Sequence, residues 1–200
     1  MVQTPDARSG DQALRVTYEE DENRGLAKIR IQPTDYLFAE KYVRYDEGYD
    51  FARGEKLFQF GSFDHDGSQL FNFQIVGLVE AKPGGGEFSH FALARNGPDS
   101  APQWGRAQSD GNLPFEANKW HKFSTEVMLN TAGQSNGYVK IFLKDQLIAE
   151  RTDIQIRSSN DHQFNYLAYG GWYSNGGVDP ANTSSYLIDD ISFRREKSVD

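Results

Sequence analysis

Several side chains in this 200-residue chain are of types that move protons or hold polar polymers. Lys56, just after Gly54, is a potential groove cation, or else a solvated loop lysine. Asn72 and Gln74 alternate with Phe71, Phe73 and Ile75, so both amides share one face of an extended strand. Such a face either meets solvent or offers hydrogen bonds to a ligand. His90 and Tyr169 are of the types that carry protons between reacting atoms in general acid–base catalysis, although His90, among Phe88, Ser89 and Phe91, also suits a structural place. Gly170-Gly171 separates Tyr169 from Trp172 and Tyr173. Aromatic faces stack on the apolar faces of sugar rings, and adjacent glycines let a chain approach the backbone. The same aromatics would equally suit a core. Tyr42 and Arg44 alternate with Val43 and Tyr45 and either line the same surface or form an ordinary exposed pair. Asp189-Asp190 supplies two oxygen ligands toward a structural Ca²⁺, with Glu19 or Asp21 as further donors, well short of the six to eight such an ion takes.

These residues have to be positioned by strands. Period-2 alternation recurs along the chain, broken by Gly, Asn and Asp clusters. It predicts strands at Ala13–Tyr18, Ala27–Ile31, Tyr36–Tyr45, Lys56–Phe60, Leu70–Val79, Glu87–Ala94, Trp120–Leu129, Tyr138–Lys144, Gln146–Glu150, Phe164–Tyr169 and Ser185–Phe193. Val139, Ile141 and Leu143 fall on one side of their strand and Tyr138 and Lys140 on the other, the pattern of a half-buried strand. Lys144-Asp145 reads as a tight hairpin turn. Gly84-Gly85-Gly86 reads as a hairpin loop, because no helix and no Lys-Ser/Thr signature follow to make it a phosphate cradle. Helical periodicity is nearly absent, and Arg95–Asn118 reads as one long irregular connection. About eleven strands with short turns imply two packed antiparallel sheets in one domain spanning residues 1–200.

Composition narrows the function. Hydrophobic residues make up 38% and aromatics 14%, enough for a core with aromatics to spare, and mean hydropathy is −0.69. No apolar run approaches the roughly 20 residues of a membrane helix. The net charge of −8 and a longest basic run of Arg194-Arg195 argue against nucleic acid. An anionic polymer would need a locally neutral or basic groove. The absence of cysteine excludes disulfides, thiolate zinc sites and cysteine nucleophiles. No basic-then-apolar leader opens the chain, and the expectation is a mature or excised extracellular or periplasmic domain.

The run from Tyr42 to Leu57, with Glu47-Gly48-Tyr49-Asp50-Phe51 and Gly54-Glu55-Lys56-Leu57, resembles a stretch of the jelly-roll polysaccharide lyases that cleave alginate and glucuronan. Lys119-Trp120-His121-Lys122-Phe123, Val127-Met128-Leu129-Asn130, Tyr169-Gly170-Gly171-Trp172 and Ile188-Asp189-Asp190-Ile191 are similar to later stretches of that family, in the same order, across residues 36–193. The resemblance implies an all-β, concanavalin A-like jelly roll and β-elimination on a uronic-acid-containing polysaccharide. It places Lys56 on the family's lysine. It also implies a Ser-x-Arg pair and a Tyr-x-Tyr pair, where this chain has Asn72 with Gln74 and Phe88-Ser89-His90-Phe91. The expectation is therefore a lyase with Lys56, His90 and Tyr169 as catalytic residues and Arg44, Asn72, Gln74, Trp172 and Tyr173 holding substrate. A non-catalytic carbohydrate-binding module, or a structural or adhesive domain of a larger surface protein, fits the same fold.

Overall fold

The computed structural model describes residues 1–19, 24–49, 55–64, 67–82, 84–96, 105–172 and 183–196. They form thirteen strands: β1 (Val2–Gln3), β2 (Gln12–Tyr18), β3 (Arg24–Thr34), β4 (Tyr36–Tyr45), β5 (Glu55–Phe63), β6 (Gln69–Lys82), β7 (Gly85–Asn96), β8 (Gly105–Glu116), β9 (His121–Met128), β10 (Gly137–Leu143), β11 (Gln146–Ile154), β12 (Phe164–Trp172) and β13 (Ser184–Arg194). Their hydrogen-bonded order is β1-β2-β13-β4-β9-β10-β11-β8-β7-β6-β5-β12-β3. The step from β11 to β8 rests on the pair Ala149 and Ser109. The assembly therefore behaves as two antiparallel sheets, β1 to β11 and β8 to β3 in that order, joined along one side.

Between them lies one aromatic-rich core. Leu37, Ala39, Val43 and Tyr45 of β4, with Phe123, Val127, Val139 and Ile141, come from the first sheet. Phe58, Phe60, Phe71, Phe73, Ile75, Phe164, Leu167 and Tyr169 come from the second. The expected alternation in β10 holds, since Val139, Ile141 and Leu143 are buried and Tyr138 and Lys140 half-buried. Lys144 and Asp145 both take the left-handed backbone (φ 51° and 65°), the geometry of a two-residue type I′ turn, and close the β10–β11 hairpin.

The expected long connection is corrected. β7 continues to Asn96, and Gly105–Glu116 forms β8, paired antiparallel with β7. Its sequence, with two Gly, one Pro and three Asp or Asn/Gln-type side chains close together, has low strand propensity, and pairing with a neighbour overrides that. Gly85 and Gly86 belong to β7 as well, leaving Gly84 (φ 76°) at the turn. A Cβ on Gly85 would stand 2.1 Å from the Phe115 carbonyl oxygen, so only glycine lets β7 and β8 close here.

Candidate active site

Cross-strand register defines which residues of the second sheet face away from the core. One row runs Arg30 (β3), Tyr166 (β12), Gly61 (β5), Asn72 (β6) and Asn96 (β7). The next runs Lys28, Ala168, Gln59, Gln74 and Ala94. A third holds Lys56, Val76, Ala92 and Arg106. The intervening residues Phe60, Phe73, Ile75 and Leu167 belong to the core, which fixes the direction of the rows.

An outward sheet face normally carries exposed polar side chains. This one does not. Lys56 is 3% exposed, Gln59 8%, Asn72 6%, Gln74 3% and Tyr166 1%. These side chains form a buried polar layer on the face of the sheet opposite the core. Among the described side chains in these rows are three cations, Lys28, Arg30 and Lys56, and no carboxylate. A chain of net charge −8 thus presents a basic strip where an anionic ligand would lie.

The centre of the strip is a notch. Gly61 has no side chain, and the Tyr166 ring leans across it: a Cβ there would lie 2.6 Å from both Tyr166 Cε1 and its hydroxyl, and 2.4 Å from the Phe71 carbonyl oxygen. Phe63 packs on Tyr166 with ring centres 4.6 Å apart, and Lys28 Nζ stands 5.0 Å and 5.8 Å from those two ring centres. Tyr166 Oη and Asn72 Oδ1, on either side of Gly61, are buried with no hydrogen-bond partner. Burial pushes the Tyr166 phenol up to about 12, and the Gln59 side chain beside it offsets part of that shift. The phenol therefore keeps its proton at neutral pH and is available as a donor.

The structure brings Lys56, Asn72 and Gln74 to this face together. It does not bring Tyr169, which is three residues from Tyr166 and so on the opposite side of β12. Tyr169 is fully buried in the inter-sheet core, 6.3 Å from the Phe58 ring and with Lys41 Nζ 5.6 Å from its centre. Burial, and after it the Glu40 charge, raises its phenol. The expectation of a ligand-facing Tyr169 is corrected: packing of alternate residues makes it a core residue. Arg44 is corrected too. It lies on β4 in the other sheet, where Nη1 pairs with Asp6 at 3.3 Å and Nε donates to the Asn118 carbonyl at 3.1 Å.

His90 takes the β7 position opposite Leu78 and Gln108, and its side chain, like that of Trp172 at the end of β12, lies outside what is described. Tyr173 falls outside the described residues. Asp189 and Asp190 clasp the N-terminal segment. Asp189 Oδ2 accepts from the Arg8 and Ser9 amides at 2.9 Å and 3.2 Å, while Asp190 pairs with the Arg8 guanidinium and the Ser9 hydroxyl. Asp190 sits at positive φ (47°) within a bulge, which turns both carboxylates toward that segment. No group of three or more potential metal ligands gathers among the described residues.

Tyr166, Gln59, Gly61, Lys28 and Arg30 are not among the residues expected from sequence. Lys28 and Arg30 had a visible signal, since they alternate with Ile29 and Ile31 in a predicted strand. Tyr166 and Gly61 had none, because their meeting depends on the register between β12 and β5.

Residues 90–186 match the family model of polysaccharide lyase 14. No curated protein sequence matches the chain. Among solved structures, alginate lyase Aly36B, a double mutant in complex with alginate tetrasaccharide, superposes with a TM-score of 0.70 at 16% identity, covering 96% of this chain and 84% of its own. The marine PL-14 alginate lyase from Aplysia kurodai gives 0.70 at 18% identity, covering 94% and 85%. The endo-β-1,4-glucuronan lyase from the fungus Trichoderma reesei gives 0.59 at 14%, covering 92% and 82%. At such identities the superpositions establish the jelly-roll fold, and the family model matches just under half of the chain, from β7 to β13.

Proposed function

We propose that this chain cleaves a uronic-acid-containing polysaccharide by β-elimination, with the polymer lying across the rows of β3, β12, β5 and β6. The observation that carries the reading is the buried polar floor of Lys56, Gln59, Asn72, Gln74 and Tyr166, flanked by Lys28 and Arg30 and free of carboxylates among its described side chains. The C5 proton of a uronate is too weakly acidic to leave while the neighbouring carboxylate keeps its full charge. Lys56 offsets that charge, and the amides of Asn72 and Gln74 hydrogen-bond the carboxylate as charge develops on it. A base on this floor takes the C5 proton; His90, three strands and six residues of register away from Tyr166, lies too far off to act with it on one sugar unit. The C5–H electron pair becomes the C4–C5 double bond, the C4–O bond breaks, and the departing oxygen takes the proton of Tyr166. A polymeric substrate goes with an extracellular or periplasmic enzyme.

The amide pair at Asn72 and Gln74 also suits a module that holds a glycan without cutting it. The two readings separate in one experiment: incubate the protein with alginate, glucuronan and neutral glycans, and follow the ultraviolet absorbance of the unsaturated product. Product from a uronate polymer that is lost in Tyr166→Phe and Lys56→Ala supports the lyase. Calorimetric binding without product supports the module, and neither signal defeats both.

A further inference from the structure

A cavity of about 400 Å³ opens where β3, β5, β6 and β12 meet at one end of the second sheet. Its size falls within the range of about 300–1,000 Å³ usual for small-ligand sites. Arg30 and Phe63 line it, and both also belong to the basic strip: Arg30 pairs with Tyr166 across β3 and β12, and the Phe63 ring packs on the Tyr166 ring. The cavity thus continues the strip beyond Tyr166. Its other polar walls are Ser62, Asp64, Asp161, Gln163 and Asn165. Asn165 fixes the Phe63 backbone, its Oδ1 accepting from the Phe63 amide at 3.0 Å and its Nδ2 donating to the Phe63 carbonyl at 2.7 Å.

Those walls differ in kind from the strip. An apolar ring face, a guanidinium and carboxylate acceptors together match a single sugar ring: the ring stacks on Phe63, its hydroxyls donate to Asp161 and Asp64, and a carboxylate or ring oxygen meets Arg30. The carboxylates make the cavity a poor place for a run of consecutive uronates and a better one for one hydroxyl-rich unit. We propose that this cavity is a distal subsite that takes one sugar residue of the same glycan, beyond the residues that act on the scissile bond. The inference rests on the lyase reading for the identity of the glycan, and its test is arranged so that either can fail alone.

Initial rates are measured on alginate and glucuronan oligosaccharides of increasing length for the wild type, Asp64→Asn and Asp161→Asn. Both positions are exposed, so the fold should tolerate both changes. Each substitution is expected to lower kcat/KM about tenfold on the longest oligomers and to leave the shortest cleaved oligomer within about twofold. Equal loss at every length, or no loss at any, overturns the subsite and leaves the lyase standing. Where the wild type cleaves none of them, calorimetric titration of the same series decides. An affinity gain with length that vanishes in the two variants then supports the subsite while the lyase reading falls. Length-independent affinity, or no binding at all, overturns it.

Discussion

Replacing Tyr166 by phenylalanine should make the protein more stable and much less active. The hydroxyl is buried beside the Gly61 notch with no hydrogen-bond partner. Burying an unpaired hydroxyl costs roughly 1–3 kcal/mol, and the neighbouring Gln59 amide recovers part of that. Its removal is expected to gain about 1 kcal/mol, which for a domain of this size raises Tm by about 2–4 °C. As a proton donor to the leaving oxygen, the same hydroxyl is worth about 10²–10⁴-fold in kcat. Tyr169→Phe supplies the control, because Tyr169 Oη is also buried and unpartnered but lies between the sheets. It should raise Tm similarly with kcat changed by less than about twofold. Thermal unfolding and product absorbance on the same preparations give both numbers. Loss of activity in Tyr169→Phe with Tyr166→Phe unaffected would refute the assignment of the working face.

Gly61→Ala drives a methyl group into the Phe71 carbonyl and the Tyr166 ring; it should cost about 1–3 kcal/mol in a denaturant titration and cut activity as Tyr166 is displaced. Asn130→Ala removes the buried oxygen that accepts from the Ile156 amide at 2.6 Å and the Arg157 amide at 2.8 Å. With two buried amides stranded, a loss of about 2–5 kcal/mol is expected by urea unfolding. His121 is held below its usual 6.5 chiefly by burial. The unfolded chain therefore takes up its proton first as pH falls, so stability present above pH 6.5 drains away below it. The urea midpoint should fall between pH 7.5 and pH 5.5, and His121→Gln should flatten that slope. Lys28→Ala should raise KM for the polymer several-fold at low salt, with a difference from wild type that shrinks as salt is added.

Sequence alone showed the strands best where one face is buried. The β4 boundaries, Tyr36–Tyr45, were legible to the residue because alternate side chains pack between the sheets. β8 was not legible: its Gly, Pro and polar residues become a strand through its ladder with β7, a partner whose register no local pattern reveals. The site divided in the same way. Asn72 and Gln74 could be given a common face from their spacing within one strand, and they share the face opposite the core. Telling Tyr169 from Tyr166 required knowing which side of β12 meets the core, and that follows from Leu167 pairing with Phe60, 107 residues away in sequence. The flanking Gly170-Gly171 drew attention to Tyr169, whose ring the fold places between the sheets. Arg44 failed for a related reason, since alternation assigns a face within a strand and leaves open which sheet the strand joins.

The insertion of β12 between β3 and β5 has a consequence for how the protein comes into being. β3 leaves the ribosome early, yet its partner in the sheet is a strand begun at residue 164. Until then Lys28 and Arg30 sit on an unpaired edge, and closing so long a loop makes this step slow compared with the neighbouring β5–β6 and β6–β7 hairpins. The basic strip, the glycine notch and the end cavity are therefore completed by one late event. A nascent or truncated chain ending before β12 would carry most of the core strands and the β5–β6 part of the floor without Tyr166 beside it, while exposing the edges of β3 and β5 to other chains.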